Sequence, residues 1–346
     1  LPKKNYFMGV DVGTFQIKAA EIKVIDNIPE VVALRCYPSP TGVWSDQLDE
    51  ESLVEALREV ANPRLKEVIT CIGGEKLISR VVRLPAEIRD KELEITARFE
   101  LEKIVPAPLD QLIIKPVRLE DKNGTLKEAP KIDKEEGQNV LLLAVPAATV
   151  YQYYGIFSRA GLVITAIDLQ AFALWRLFGQ ATEGTLAIVE IGANTTHFIV
   201  VKDGLIRFLR LLPVGSNTLT SYFMDSFGLE FPEAQQMKEE AAVSSRNEYS
   251  SLNEQLISDT LHIGLLEITR ELQRSLEYCS IQENLPAERI ILSGGASKLK
   301  GLVAYLEDIL NITVEKGIPE ISLPEGEIFD PAYSVAIGLA LRGVVK

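Results

Sequence analysis

The sequence predicts an α/β protein of two similar halves with a nucleotide held between them. Three observations carry that reading. First, three widely separated segments each run a buried strand into a small, polar, glycine-bearing turn: Met8–Lys18, Leu186–Thr196 and Ile290–Ser297. Second, two stretches share the layout strand, glycine turn, strand, turn, strand. Third, a block of strands and helices stands between them. A glycine directly after a strand lets backbone N–H groups approach an anion where a side chain would obstruct it. Asp11 and Glu190, each two residues before its glycine, would repel a bare phosphate; they suit a divalent cation or its water shell instead.

Taken in order, Tyr6–Asp11 and Ile17–Val24 are apolar or alternating runs either side of the turn at Asp11–Thr14, which predicts a hairpin, and Val31–Cys36 adds a third strand. After the turn-rich stretch Pro38–Asp46, a helical stripe of Leu53, Ala56, Leu57 and Val60 marks a helix over Asp49–Ala61, opened by acids that suit an N-terminus. Val68–Ile72 returns as a buried strand. Leu77–Leu84 (strand), Arg89–Ile104 (helix, closed by Pro106-Ala107-Pro108), Leu112–Leu119 (strand), the charged hairpin loop Glu120–Gln138, Val140–Val145 (strand), Ala147–Ala160 (helix, stopped by Gly161) and Val163–Leu169 (strand) read as a self-contained inserted subdomain. Leu186–Ile191, His197–Lys202 and Leu205–Leu212 then repeat the first layout, with Asp203-Gly204 as the hairpin turn. Helices follow over Ser216–Phe227, Phe231–Ala242 and Ile257–Ile281, the last with apolar residues at three- and four-residue spacing. Ile290–Leu292 (strand), Gly301–Leu310 (helix), Ile312–Glu315 (strand) and the small-residue helix Tyr333–Arg342 close the chain. The implied boundaries are 1–76 for the first part of one lobe, 77–170 for the insertion, and 171–342 for the rest of that lobe plus the second. The segment at about 330–342 returns to the first lobe.

A chain of 346 residues is too long for one ordinary core. Its net charge of −13 argues against a broad nucleic-acid surface, which needs a basic patch. Cys36, Cys71 and Cys279 have neither disulfide-framework nor zinc spacing and fit a reducing compartment; His197 and His262 lack partners for a metal site. Among all 346 residues no apolar run approaches the ~18 of a membrane span, so a cytoplasmic location is expected.

The duplicated layout with Asp/Glu-x-Gly turns and a late Ser-Gly-Gly turn resembles the actin/Hsp70/hexokinase superfamily. Val81–Pro85 (VVRLP), Ala97–Glu102 (ARFELE) before Ile104–Pro106, Val140–Pro146 (VLLLAVP), Ala160-Gly161-Leu162, Asp168–Ala173 (DLQAFA), Ile191–Thr196 (IGANTT) and Pro331–Arg342 (PAYSVAIGLALR) narrow the resemblance to the PilM family. These are actin-like cytoplasmic proteins of type IV pilus assembly, related to the division protein FtsA. The resemblance spans nearly the whole chain. It implies a two-lobed actin-like ATPase fold with an FtsA/PilM-type inserted subdomain, and it implies ATP or ADP with Mg²⁺ as cofactors.

Carried over residue by residue, the resemblance implies that Asp11, Gly13, Thr14 and Lys18 form the first phosphate turn, with Asp11 holding Mg²⁺ through water. Gly192, Asn194 and Thr195 match the second turn, and Gly215 a later turn near the phosphates. Gly294, Gly295 and Ser297 match the adenosine turn, with Glu233 and Lys238 at the ribose and adenine edge. Each has a plain alternative: a tight hairpin for Asp11–Thr14, a loop for Ser-Gly-Gly, a solvated helical face for Glu233 and Lys238. Glu190 stands where the family usually has Asp, and the extra carbon moves its carboxylate by about 1.5 Å. Positioning of an attacking water tolerates little misplacement; a protein that binds nucleotide and is at most a slow ATPase is expected, with Glu190 and Asp11 as the residues that would act. A neutral exchange absorbed by a water is the alternative. Glu271 and Arg274 read as a solvent-exposed ion pair.

The resemblance also implies a partner, the cytoplasmic N-terminal tail of a PilN-like inner-membrane protein, which docks between the inserted subdomain and the first lobe and brings a soluble protein to the membrane. On the insertion's helix Arg98, Phe99 and Glu102 are candidates for that role, with core packing favoured for Phe99. The cytoplasmic part of the type II secretion protein GspL shares this fold and role. An FtsA-like filament-forming adaptor is a further alternative, though FtsA ends in a basic amphipathic membrane helix that does not follow Gly343–Lys346 here. A sugar- or acetate-kinase-like phosphotransferase would need a substrate acid or base in the cleft, and no such constellation is evident.

Overall fold

A computed structural model of the chain describes residues 5–73, 76–85, 87–105, 108–119, 137–243 and 251–344. The first sheet is built on a hairpin and its third strand: β1 (Tyr6–Val12), β2 (Gln16–Ile25) and β3 (Ile28–Pro38). Asp26 and Asn27 both adopt positive φ (51° and 67°) and make the tight turn between β2 and β3. Helix α1 (Glu50–Val60) starts where the Asp49 carboxylate accepts from the N–H groups of Glu51 and Ser52 (3.1 and 3.4 Å). Its stripe of Leu53, Leu57 and Val60 is fully buried. β4 (Glu67–Cys71) then pairs in parallel with β1.

The inserted block contains β5 (Ile78–Leu84), α2 (Asp90–Glu102), β6 (Leu112–Arg118) and β7 (Gln138–Pro146), which form a three-stranded sheet in the order β5-β7-β6. Of the expected loop Glu120–Gln138, residues 120–136 lie outside the described residues, as do 106 and 107 of the Pro-Ala-Pro stop. Helix α3 (Ala147–Arg159) and β8 (Val163–Asp168) were expected to belong to this block. They do not: β8 pairs in parallel with β4, from Glu67 opposite Val163 to Cys71 opposite Asp168. α3 sends Tyr153, Ile156 and Phe157 into the core beneath the first sheet, beside Trp44 and Leu57. The unpaired edge of β4 and this apolar face are satisfied only if α3 and β8 return to the first sheet, whose order is β3-β2-β1-β4-β8.

The second half repeats the plan. β9 (Thr185–Ile191), β10 (Thr196–Lys202) and β11 (Leu205–Leu212) form the meander, with Asp203 and Gly204 at φ 52° and 76° in the turn. β12 (Arg289–Ser293) and β13 (Thr313–Lys316) complete a sheet ordered β11-β10-β9-β12-β13, element for element the order of the first. Its outer face is covered by α5 (Ser216–Phe227), α6 (Phe231–Glu240), α7 (Leu252–Ile281) and α8 (Leu302–Leu310). α7 begins one turn and a half before the expected Ile257, where the Ser251 hydroxyl accepts from the Glu254 N–H (3.2 Å).

Two helices join the halves. α4 (Gln170–Phe178), a helix without a side-chain cap to announce it, packs on the second sheet, and α9 (Ser334–Leu341) packs on the first. They cross where a Cβ on Gly338 would lie 2.1 Å from the Ala173 carbonyl oxygen, and α9 meets β1 equally closely at Gly9. Buried Asp168 pairs with Arg176 of α4 and with Arg342 beyond α9 (2.9 Å to the latter), tying the crossing to the end of β8.

Candidate functional site

Both glycine turns fold alike. The Gly13 N–H donates to the Gln16 carbonyl (3.2 Å) and the Gly192 N–H to the Thr195 carbonyl (2.9 Å). A Cβ at either glycine would crowd that same oxygen (2.8 and 3.1 Å). The second turn is further held by the start of α5, where the N–H groups of Ser216 and Asn217 donate to Gly192 and Ala193 carbonyls (2.9 and 2.8 Å). The two turns face each other across a cavity of ≈ 450 Å³, a size suited to a nucleotide-like ligand.

The register of each hairpin sets a charged pair at the cavity floor. Asp11 lies opposite Lys18, with Lys18 Nζ 3.8 Å from the carboxylate; Glu190 lies opposite His197, with Nδ1 and Oε2 3.0 Å apart. These pairs occupy equivalent positions in the two sheets. Asp11 is buried, and burial raises its carboxyl above the usual carboxylate range; Lys18 opposes that shift and Glu190, facing it across the cleft, reinforces it. The Gln170 amide at the start of α4 reaches Asp11 at 3.5 Å. Two acids lining one cavity suit an arriving cation. Among the described residues no cluster of three or more His, Cys, Asp or Glu could hold a metal by itself. A Mg²⁺ here therefore fits only as an ion that keeps waters or takes ligand oxygens, as Mg²⁺ commonly does.

The third turn closes on the second. Gly294 adopts φ 84°, and a Cβ there would lie 2.5 Å from the Ile191 carbonyl oxygen and 2.7 Å from Glu190 Oε1. The buried Ser297 hydroxyl donates back to the Gly294 carbonyl (2.7 Å). Gly294 and Ser297 thus shape the turn, and of the three residues only Gly295 reaches the cavity wall. Gly215 likewise supports from behind: a Cβ there would sit 2.4 Å from the Ala193 carbonyl oxygen. The lining also includes the apolar side chains of Leu219, Leu265, Ile268, Leu299 and Leu302.

Lys238 also lines the cavity and is buried, its Nζ donating to Gln235 Oε1 (2.7 Å), Thr220 Oγ1 (2.9 Å) and the Ser216 carbonyl (3.3 Å). Desolvation lowers it to about 8. Glu233, five residues earlier, is turned about 140° around α6; it is exposed and does not line the cavity. Glu271 and Arg274 are also remote from it, pairing with each other at 2.6 Å, while Glu271 bonds Arg210 as well.

Of the residues expected at the site, Asp11, Gly13, Thr14, Lys18, Glu190, Gly192, Asn194, Thr195, Lys238 and Gly295 converge on the cavity. Sequence reasoning missed His197, Gln170, Asn217, Lys298 and Trp44, which line it too. His197 was within reach, because a four-residue turn closed by Gly192 and Thr195 places it opposite Glu190. Phe99, expected in the core, is instead 62% exposed on α2, beside Ile95.

The model of one family, "Type IV pilus assembly protein PilM", matches residues 9–344. A solved PilM–PilN type IV pilus biogenesis complex superposes with a TM-score of 0.82 at 25% identity, covering 99% of both chains. MreB5 of Spiroplasma citri bound to AMPPNP superposes with a TM-score of 0.52 at 12% identity over 97% of this chain and 95% of its own. In sequence, the cell division protein FtsA of Pseudomonas aeruginosa is 23% identical over 98% of this chain and 89% of its own length. The fold is therefore the actin-like fold, as the duplicated layout implied. The chain belongs to the PilM family of type IV pilus assembly proteins.

Proposed function

We propose that the cleft binds ATP or ADP with Mg²⁺, and that the protein is a nucleotide-binding scaffold of type IV pilus assembly that docks the cytoplasmic N-terminal tail of a PilN-like inner-membrane protein. The observation that carries the nucleotide half is the pair of glycine turns opposed across one cavity with an acid at the foot of each. Backbone N–H groups around Gly13–Thr14 and Gly192–Thr195 would receive phosphate oxygens, and Lys18 would offset their charge. Asp11 would hold Mg²⁺ through water, and the ion would supply charge neutralisation at the phosphates. The apolar part of the lining would take the base, and Lys238 would stand near the ribose or the adenine edge. Glu190 is held by His197 and is not free to orient a water, which supports slow hydrolysis at most. The likeness to MreB5 bound to AMPPNP supports the same reading.

The partner half is supported by the PilM–PilN complex among the similar structures and by the exposed Ile95 and Phe99 on the insertion's helix. No described helix is long and apolar enough to cross a membrane, so tail docking would hold the protein at the inner membrane from the cytoplasmic side, with no nucleic acid involved. Nucleotide-driven closure of the two lobes about the α4–α9 crossing would then be passed to the pilus machine. Isothermal titration with ATP–Mg²⁺ tests the first half: saturable binding at or below millimolar nucleotide is expected, and none at that concentration overturns it. Titration of a synthetic tail peptide of the inner-membrane protein tests the second; no binding with or without nucleotide overturns it.

A further inference from the structure

Away from the nucleotide cleft, α7 and α8 bound a second concavity of ≈ 810 Å³ on the outer side of the second lobe. Its walls are Ile263 and Leu266 of α7 with Tyr305 and Ile309 of α8, and its polar lining is Asp259, Asp308 and His262, whose Nδ1–H donates to the Ser258 carbonyl (2.7 Å) and whose ring stands edge-on to Tyr305. Ile263, Leu266 and Ile309 are 51, 42 and 39% exposed, an uncommon state for three neighbouring large apolar side chains in one groove. The opposite face of the same helix is complete: Leu261, Leu265, Ile268 and Leu272 are buried in the core of the second lobe. The outer stripe continues toward the start of α7 through Leu256, which is 48% exposed. From Leu256 to Leu266 it runs ten residues, about 15 Å, the length of three turns of a partner helix.

We propose that this groove docks a basic amphipathic helix of a partner protein. Helix-in-groove recognition reads apolar anchors at three- and four-residue spacing, and two packed helices with an open apolar seam provide the matching surface. The sign of the partner follows from charge. Among the described residues no Lys or Arg lines the groove and neither the Asp259 nor the Asp308 carboxylate is in an ion pair, while His262 Nδ1–H is spent on the Ser258 carbonyl, so both acids would be satisfied by Lys or Arg flanking the anchors. A second copy of this chain would bring its own −13 and like charges to the same acids. An anionic lipid surface would be repelled for the same reason. The groove and the nucleotide cavity share walls back to back: Leu265 and Ile268 of α7 and Leu302 of α8 line the cavity, while their neighbours line the groove.

The test uses the full chain and three labelled 15-residue peptides followed by fluorescence anisotropy. One is a helical peptide with leucines on one face and lysines flanking them; the others have glutamates replacing the lysines, or the same residues scrambled. The lysine peptide is expected to bind at least tenfold more tightly than either control, and to weaken as salt is raised from 0.05 to 0.15 M. Asp259→Lys with Asp308→Lys should erase the preference for lysine over glutamate, and Ile263→Glu should reduce binding at least tenfold; both variants should keep wild-type circular dichroism and nucleotide affinity. Equal binding of lysine and scrambled peptides, or lysine-peptide affinity unchanged in either variant, would show only general attraction to an acidic protein and overturns the proposal. So does the absence of binding, or a concentration-dependent dimer that Ile263→Glu abolishes, which would make a second copy the occupant.

Discussion

Replacing Lys238 by methionine should separate the stability of the empty cleft from its affinity for a ligand. Lys238 keeps its stem among buried residues, and desolvation lowers its ammonium from 10.5 to about 8. In the unfolded chain it titrates at its ordinary value, so between about pH 8 and 10.5 the unfolded state binds more protons, and stability rises with pH across that window. The cost of keeping the charge is full below pH 8 and is relieved above it. At 1.36 kcal/mol per pH unit it amounts to about 3 kcal/mol, and integrated between pH 7.5 and 9.5 the relief is about 2 kcal/mol. The methionine variant lacks the titrating group and keeps the volume. Its loss of hydrogen bonds is limited, because Thr220 Oγ1 still donates to Gln235 Oε1 at 3.0 Å. Urea unfolding of both proteins at pH 7.5 and 9.5 should therefore show the stability of Lys238→Met relative to wild type falling by about 2 kcal/mol as pH rises. A difference that is constant with pH would refute the claim that the buried ammonium is costly. In parallel, ATP affinity should drop at least tenfold in the variant if the charge is kept for a ligand.

Three further outcomes are expected. Glu190→Asp should raise ATP turnover several-fold in a phosphate-release assay, by withdrawing the carboxylate from His197; an unchanged rate would make the substitution neutral. Gly215→Ala should cost about 1–3 kcal/mol in thermal unfolding and at least tenfold in ATP affinity, because its Cβ would press on backbone atoms of Ala193 and Asn194 at 2.4 to 2.7 Å; wild-type values in both would show that the turn gives way easily. Trp44 lines the cavity while Trp175 bonds the Gly204 carbonyl away from it. Nucleotide should therefore alter tryptophan emission in wild type and Trp175→Phe and leave Trp44→Phe unchanged.

The glycine turns and the hairpins on either side of them were legible because local chemistry fixes them: alternation of apolar residues, then a glycine whose Cβ would strike its own turn. Elements set by distant partners were not. β8 reads as a strand, but nothing in Val163–Asp168 says that it pairs with β4, about 95 residues earlier, and not with the nearer β7. α4 was hidden for a different reason. It begins directly after β8 with Leu169 at its N-cap and no side-chain cap, so the usual start signal is missing. Phe99 shows the limit of periodicity. Leu93, Ala97 and Leu101 make one stripe on α2 and Ile95 and Phe99 another; the spacing predicts the helix without saying which stripe is inside. Within the site, residues next to the two acids in sequence were legible as cavity lining, whereas Gly215, Gly294 and Ser297, expected against the ligand, lie behind the wall and shape its turns, because close backbone approach and not a facing side chain is what their positions require.

The duplication also shows where the two halves have parted. Each sheet places an acid two residues before its turn glycine and a nitrogen base opposite it in register, yet the pairs are unlike. Asp11 and Lys18 stand 3.8 Å apart, a loose pair whose carboxylate lines the cavity, whereas Glu190 reaches His197 at 3.0 Å. The additional methylene of Glu190 is what carries its carboxylate to the imidazole. Gly294, packed against Glu190 Oε1, closes the other side. An acid fixed between a histidine and a backbone turn is well placed to hold a lobe in position and poorly placed to follow a water through reaction. The same geometry predicts that His197→Ala should act in the direction of Glu190→Asp, since both free the carboxylate. Opposite effects of the two substitutions on turnover would mean that His197 contributes to the chemistry directly and not by restraining Glu190.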